Sequence, residues 1–278
     1  MSAIAVREAG RFRSLVDFYA TTMRTSVIVS FQYRVGQYFY MLGMVAEPVI
    51  YIVVWSSVAR ANGGSVDGIT PEGFAAYYIV WMLVRNMNIC FGAPYWEYRI
   101  REGQLSGQLL KPLHPLNYDL GWFAGMKVVV IVLWLPIALG LTLVFHPSLS
   151  PTVLDGVVFF FAIWGAYLLR TMIQSTFGML CFWTTRGQAI FDLYMTTELL
   201  LSGRLVPLTL MPPWAQTLAA WLPFKYAFYY PIETLVGNLS TAALFRGLAI
   251  QALWILLCYG AFRVAWRAAI KRYSGVGG

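Results

Sequence analysis

Charged side chains stand where the surrounding sequence is apolar: Glu47, Arg85, Lys127, Arg170, Glu198 and Glu233. An ionised group is costly in hydrocarbon, so such residues turn toward a protein interior, a partner or a water-filled path. Two chemistries compete for them. One is a polar lining for a solute path. The other is a set of internal ion pairs, with long side chains near run ends snorkelling to the interface. Glu47 and Arg170 lie deepest in their runs, and Pro48 is placed to kink the helix that carries Glu47. These two are the stronger path candidates, whereas Arg85 and Lys127 read as snorkelling ends.

Covalent and nucleotide chemistry lack their residues. No G-x-x-x-x-G-K-S/T loop is present to cradle phosphates, and neither H-E-x-x-H nor G-x-S-x-G occurs. His114 and His146 each precede a proline and read as loop residues. Cys90, Cys181 and Cys258 read as small buried hydrophobes, with neither a disulfide framework nor a zinc spacing. The expectation is therefore not an enzyme: no catalytic residue, no metal and no cofactor held by this chain.

What must position these charges is a set of membrane helices. The 278 residues are 59% hydrophobic and 12% charged, about half the charged share of a soluble domain. Apolar runs at 35–59, 74–92, 122–145, 153–183, 189–202 and 243–266 predict an all-α polytopic membrane protein with six spans, the fifth short. Before them, residues 1–34 form a basic N-terminus without the apolar core of a signal peptide. Phe12, Leu15, Val16, Tyr19, Met23 and Val27 recur at three- and four-residue steps there, predicting an amphipathic helix in the membrane plane. Gly121 and Gly125, four apart, offer a close helix approach.

Six spans place both termini on one side. That side collects Arg7, Arg11, Arg13, Arg24, Arg34, Arg99, Arg101, Lys111, Arg186, Arg267, Lys271 and Arg272, against Arg60, Arg204, Lys225 and Arg246 on the other. The positive-inside rule makes the first side cytoplasmic. The net charge of +8 is then topology and attraction to anionic membrane lipid, and no nucleic acid is called for. Residues 203–240 carry five prolines among aromatic and leucine residues, so they cannot be one spanning helix, yet they are too apolar for a solvated loop. They predict an external re-entrant helical hairpin before the last span. Residues 94–121 then form a cytoplasmic loop, and 267–278 a cytoplasmic tail.

These features, in this order, resemble the membrane subunits of type-2 ABC exporters, the ABC-2 permeases. The stretch "IREGQLSGQLLKPLHPL" resembles first loops in that family of the form basic–x–Gly–x–Leu–x–x–x–Leu–Leu–(Arg/Lys)–Pro, with Lys111 where Arg is common. The ending "RYSGVGG" is similar as well. The resemblance implies a pair of permeases, identical or sister chains, above a separate dimer of ABC ATPase subunits that binds the ATP and Mg. It also implies that loop 94–121 is a coupling loop, docking the ATPase through Glu102, Gly103, Gln104, Leu105, Gly107, Leu109 and Leu110. It further implies a substrate path along the permease interface, for which Tyr38, Met41, Glu47, Met87, Arg170 and Glu198 are the candidates. Location in a bacterial-type cytoplasmic membrane follows. The leading cargo is a hydrophobic or amphipathic compound: a drug, an antibiotic or a lipid-like molecule. Glycolipid or polysaccharide export by the same architecture, and a non-transporting membrane anchor or sensor, are the alternatives.

Overall fold

The structure is a computed structural model that describes residues 3–32, 34–90, 92–184, 187–237 and 239–273. Side chains are described from Arg13 onward, apart from those at 34, 35, 37, 38, 41, 42 and 187. Arg186 and the ending 274–278 lie outside the described residues. The protein is 82% helical with no strand among the described residues.

The helices in chain order begin with α1 (Ala3–Gln32), α2 (Arg34–Ala61), α3 (Pro71–Met87) and α4 (Ala93–Arg101). There follow α5 (Gln104–Leu109), α6 (Pro115–Phe145), α7 (Val153–Met179) and α8 (Gly187–Leu201). The last four are α9 (Pro213–Ala220), α10 (Phe224–Ala227), α11 (Tyr229–Val236) and α12 (Thr241–Ala269). Among the described residues, four stretches are long and apolar enough to cross a membrane: Gly43–Ala61, Pro115–Phe145, Val153–Phe182 and Thr241–Arg272. The other two apolar runs fall on α3, of 17 residues, and α8, of 15. At ~1.5 Å per residue these are about 26 and 23 Å long, short of a ~30 Å hydrocarbon core.

Local chemistry explains the boundaries. Asp67 and Gly68, both at positive φ, close the tight turn between α2 and α3. Thr70 then caps α3, its hydroxyl accepting from the Gly73 amide, with Pro71 in the first turn, where its missing donor costs nothing. Thr152 and Asp155 form a reciprocal capping box at the start of α7. α2 runs antiparallel to α3: Tyr51 stacks on Tyr78, Trp55 stacks on Phe74, and Tyr40 donates to Asn86 Oδ1 at 2.9 Å. α2 is a continuous helix through Pro48.

α12 packs along α7, and α1 along α6. Gly121 and Gly125 are the reason α1 approaches so closely. A Cβ at Gly121 would meet Thr22 at 3.0 Å, and one at Gly125 would meet the Met23 carbonyl oxygen at 2.5 Å. Tyr19 donates to Asn117 at 2.7 Å, and Phe18 packs edge-on against Tyr118. Contacts advance together along both chains, so α1 and α6 run in the same direction here. Part of the apolar stripe of α1 is thus covered by protein, while Val16 and Ile28 remain exposed.

The backbone after α8 leaves helical form inside the protein. Its polar groups find partners far away in sequence, as burial requires. Tyr77 donates to the Gly203 carbonyl at 2.7 Å, Tyr78 donates to Leu205, and the Tyr229 amide donates to Ser202. Further on, Asn88 Nδ2 donates to the Ala227 carbonyl at 2.6 Å. Gln251 Nε2 donates to both Ala162 and Tyr226 carbonyls at 2.9 Å. Residues 224–236 accordingly pack among α3, α7 and α12. Trp214 and Trp221 face outward, 69% and 78% exposed.

Candidate functional site

The polar centre of the molecule lies where α3 stops. The last carbonyls of a helix lack intrahelical donors and carry its negative dipole end. The end of α3 is buried, and two cations from other helices supply those donors. Lys127 of α6 donates to the carbonyls of Asn86 and Ile89. Arg170 of α7 donates to the Asn88 carbonyl at 2.6 Å. Gly92 restarts the chain: a Cβ there would sit 2.6 Å from the Phe191 ring, so any larger residue would have to displace that ring. Pro94 then occupies the first turn of α4.

Arg170 also binds Glu198 of α8. Nε lies 3.0 Å from Oε1, and Nη2 lies 2.8 Å from Oε2, a two-pronged pair that matches guanidinium to carboxylate geometry. Tyr194 donates to Glu198 Oε1 at 2.6 Å, and the Arg170 guanidinium faces the Phe228 ring. Both charges are buried and both are satisfied, which is how ionised groups persist in a low-dielectric interior. A cavity of about 320 Å³ touches this cluster, lined by Cys90, Arg170, Gln174, Phe191 and Met195. Glu47 and Arg85 make a second pair at 2.6 Å, about a third exposed, with Arg85 also over the Trp81 ring.

Of the path candidates, Arg170 and Glu198 are therefore brought together, Glu47 is paired elsewhere, and Met87 is fully buried in the core around α3. The side chains of Tyr38 and Met41 lie outside the described residues. Lys127 corrects the sequence reading. It does not snorkel; it is 1% exposed, because the end of α3 offers it carbonyl oxygens that lipid cannot. Arg85 departs from that reading as well, being held by Glu47.

At the other end of α6, the stretch 94–121 is built, not loose. Gly103 takes a left-handed φ of 67° and turns the chain from α4 into α5. Gly107 sits within α5 facing open space. Leu105 is fully buried against Trp96, Leu116 and Met179, which anchors the helix. Glu102, Gln104, Leu109 and Leu110 face out, Leu110 at 89% exposed. The seven coupling candidates thus divide into an anchor, two backbone positions and an exposed face.

Arg99 is the residue that sequence reasoning passed over. It was counted only as a cytoplasmic charge, yet it is fully buried. Its Nη1 donates to Gln108 of α5 at 3.0 Å and its Nη2 to Asp119 of α6 at 2.5 Å, while its guanidinium lies over the Tyr95 and Trp96 rings. One side chain of α4 therefore ties α5 to α6. The available signal was spacing: Tyr95 and Trp96 precede Arg99 by four and three residues, the neighbours on one helical face. Close by, His114 caps α6 with Nδ1 accepting from the Leu116 amide, and its ring packs on Trp266 at 4.3 Å. Burial, with Arg263 adding to it, pushes His114 down to about 4, so it is neutral at physiological pH. Ser106 of α5 shares a 2.7 Å hydrogen bond with Tyr273.

A helical bundle with an exposed helix tied to a long apolar helix suits a transport subunit driven from outside the membrane. A family model described as ABC-2 family transporter protein matches residues 45–277. The chain belongs to the ABC-2 transporter family. No curated protein matches the sequence. As an ABC-2 protein it is a membrane permease of an ABC transporter, and that membership implies an ATPase partner. Its apolar helices agree with a multi-pass membrane protein. The match takes in α3 through α12, so the Arg99 tie, the exposed face of α5 and the buried Arg170–Glu198 pair all lie within the ABC-2 region.

Proposed function

We propose that this ABC-2 permease exports a hydrophobic or amphipathic compound, such as a drug, an antibiotic or a lipid-like molecule, by alternating access. Six segments cross the cytoplasmic membrane: α3 and α8 are its short spans, completed by the packed segments beside them. Residues 203–240 form a hairpin that enters the membrane from outside and returns, which accounts for the internal hydrogen bonds of its backbone. α1 runs beside the cytoplasmic end of α6, and both termini are cytoplasmic. Two permeases pair, and a separate pair of ATPase subunits binds ATP and Mg.

The observation that carries the coupling step is the Arg99 tie. α5 offers Leu109 and Leu110 to a partner, and Arg99 links that same helix to Asp119 at the start of α6. A push on α5 therefore reaches α6 through a buried ion pair and not through a slack loop. ATP biases the transport cycle by binding one arrangement of the complex better than the other.

The test is co-purification followed by transport. The full chain, extracted gently from its native membrane, should bring down a P-loop ATPase. With that partner in inside-out vesicles, it should accumulate an amphipathic fluorescent cargo when ATP is added. Absence of any P-loop ATPase from the complex would remove the coupling reading. Uptake of a lipid-linked sugar in place of the amphipathic cargo would reassign the substrate class.

A further inference from the structure

Lys225 and Arg246 are among the few cations on the side of the protein opposite its basic face. A positive charge there runs against the topological bias and needs a local reason. Both line a cavity of about 270 Å³ between α10, α11 and α12. Among the described residues, neither has an ion-pair partner within 4.0 Å. The carboxyl group of that cavity, Glu233, is an incomplete counter-charge. Its carboxylate lies beyond 4.0 Å from both cations, so neither is neutralised by direct contact.

The wall of the cavity is rigid. Tyr230 lies flat on α12 because Gly247 has no side chain to displace its ring, and its hydroxyl donates to the Leu244 carbonyl at 2.7 Å. Below the cations the lining turns apolar at Ile250. Positions 246, 250, 253 and 257 follow one another at steps of four, three and four, so they share one face of α12. Leu253 and Leu257 on that face are 54% and 53% exposed. Two cations stand at the top of an open apolar track.

We propose that this cavity binds an anionic phospholipid, its phosphodiester between Lys225 and Arg246 and one acyl chain along Ile250, Leu253 and Leu257. Charge-assisted hydrogen bonds to phosphate are the strong class of polar contact, and a chain on the apolar face adds burial. A free phosphate would use only the cations, whereas a neutral phospholipid would use only the track. The leaflet assignment rests on the topology proposed above. The binding itself does not, so failure of one leaves the other standing.

Native mass spectrometry of the full chain, purified in detergent, tests this with phosphatidylglycerol, phosphatidylcholine and inorganic phosphate as separate probes. Phosphatidylglycerol should be retained, and Lys225→Gln/Arg246→Gln should weaken retention by roughly tenfold or more, the equivalent of ~1.4 kcal/mol. The charge-preserving pair Lys225→Arg/Arg246→Lys should keep it, as should Arg263→Gln, a cation removed from the far end of the same helix. Equal retention of phosphatidylcholine, or unchanged retention in the double Gln variant, would overturn the proposal. So would binding of inorganic phosphate without binding of the lipid.

Discussion

Arg170 has two duties, and they separate under mutation. It neutralises Glu198, and it caps the Asn88 carbonyl at the end of α3. Arg170→Met should cost about 3–5 kcal/mol, because it strands a buried carboxylate. Adding Glu198→Leu should recover most of that loss but not all, since the Asn88 carbonyl stays without its cation. Thermal unfolding of the single and double variants in detergent reads the difference; a single variant as stable as the parent would show that the pair contributes nothing. His114 makes a pH-dependent case. Its folded value is depressed to about 4 from an ordinary 6.5. Between pH 6.5 and 4 the unfolded chain therefore takes up a proton that the folded chain refuses, and stability falls as pH falls through that window. His114→Asn keeps an N-cap acceptor and removes the titration. The parent should lose more of its unfolding temperature than His114→Asn between pH 7.5 and pH 5. These residues were only partly legible in advance. Charges within apolar runs announce that a partner exists, but the partner of Arg170 lies 28 positions away and that of Arg99 lies 20 away, and one sequence does not show which residues meet.

At the scale of elements, α5 separates anchoring from docking within one turn. Leu105→Ala opens the core against Trp96 and Met179 and should cost roughly 2–5 kcal/mol. Leu110→Asp changes a side chain that is 89% exposed, so the unfolding temperature should hold while stimulation of the ATPase by the permease falls. An ATPase assay on the assembled complex, run beside a melting curve, distinguishes the two; equal loss of stability in both variants would refute the division. The motif in residues 94–121 pointed to this helix because its glycines and paired leucines stand out from the apolar runs around them. It did not say which leucine faced in, since the helix is six residues long, too short for a periodicity to be read. The run 74–92 misled differently. Ile89 and Cys90 are apolar, so hydropathy carried the span past the true helix end at Met87. Hydropathy counts side chains, whereas the end of α3 is set by where backbone hydrogen bonds stop. The Gly121–Gly125 pair was legible, because small residues four apart present a flat strip to any neighbouring helix.

For the whole molecule, topology is the property on which the transport reading depends. In a background without Cys90, Cys181 and Cys258, Ala61→Cys should react with a membrane-impermeant maleimide on intact cells. Leu110→Cys should react only after permeabilisation. The reverse pattern would invert the protein and remove the docking role of α5. The buried end of α3 also bears on how the chain is made. Ribosomal synthesis delivers α3 to the membrane before Lys127 and Arg170 exist. Until then the carbonyls of Asn88 and Ile89 lack the donors that bind them in the folded protein, and the segment is too short to cross alone. α3 should therefore wait at the insertion machinery until α6 and α7 emerge, which makes its integration post-translational with respect to its own codons. Because α2 can cross alone, the readout must be specific to α3: a photocrosslinker within α3 should still capture the insertion machinery in a chain halted before α6 has emerged, and should lose that contact in one halted after α7 has emerged.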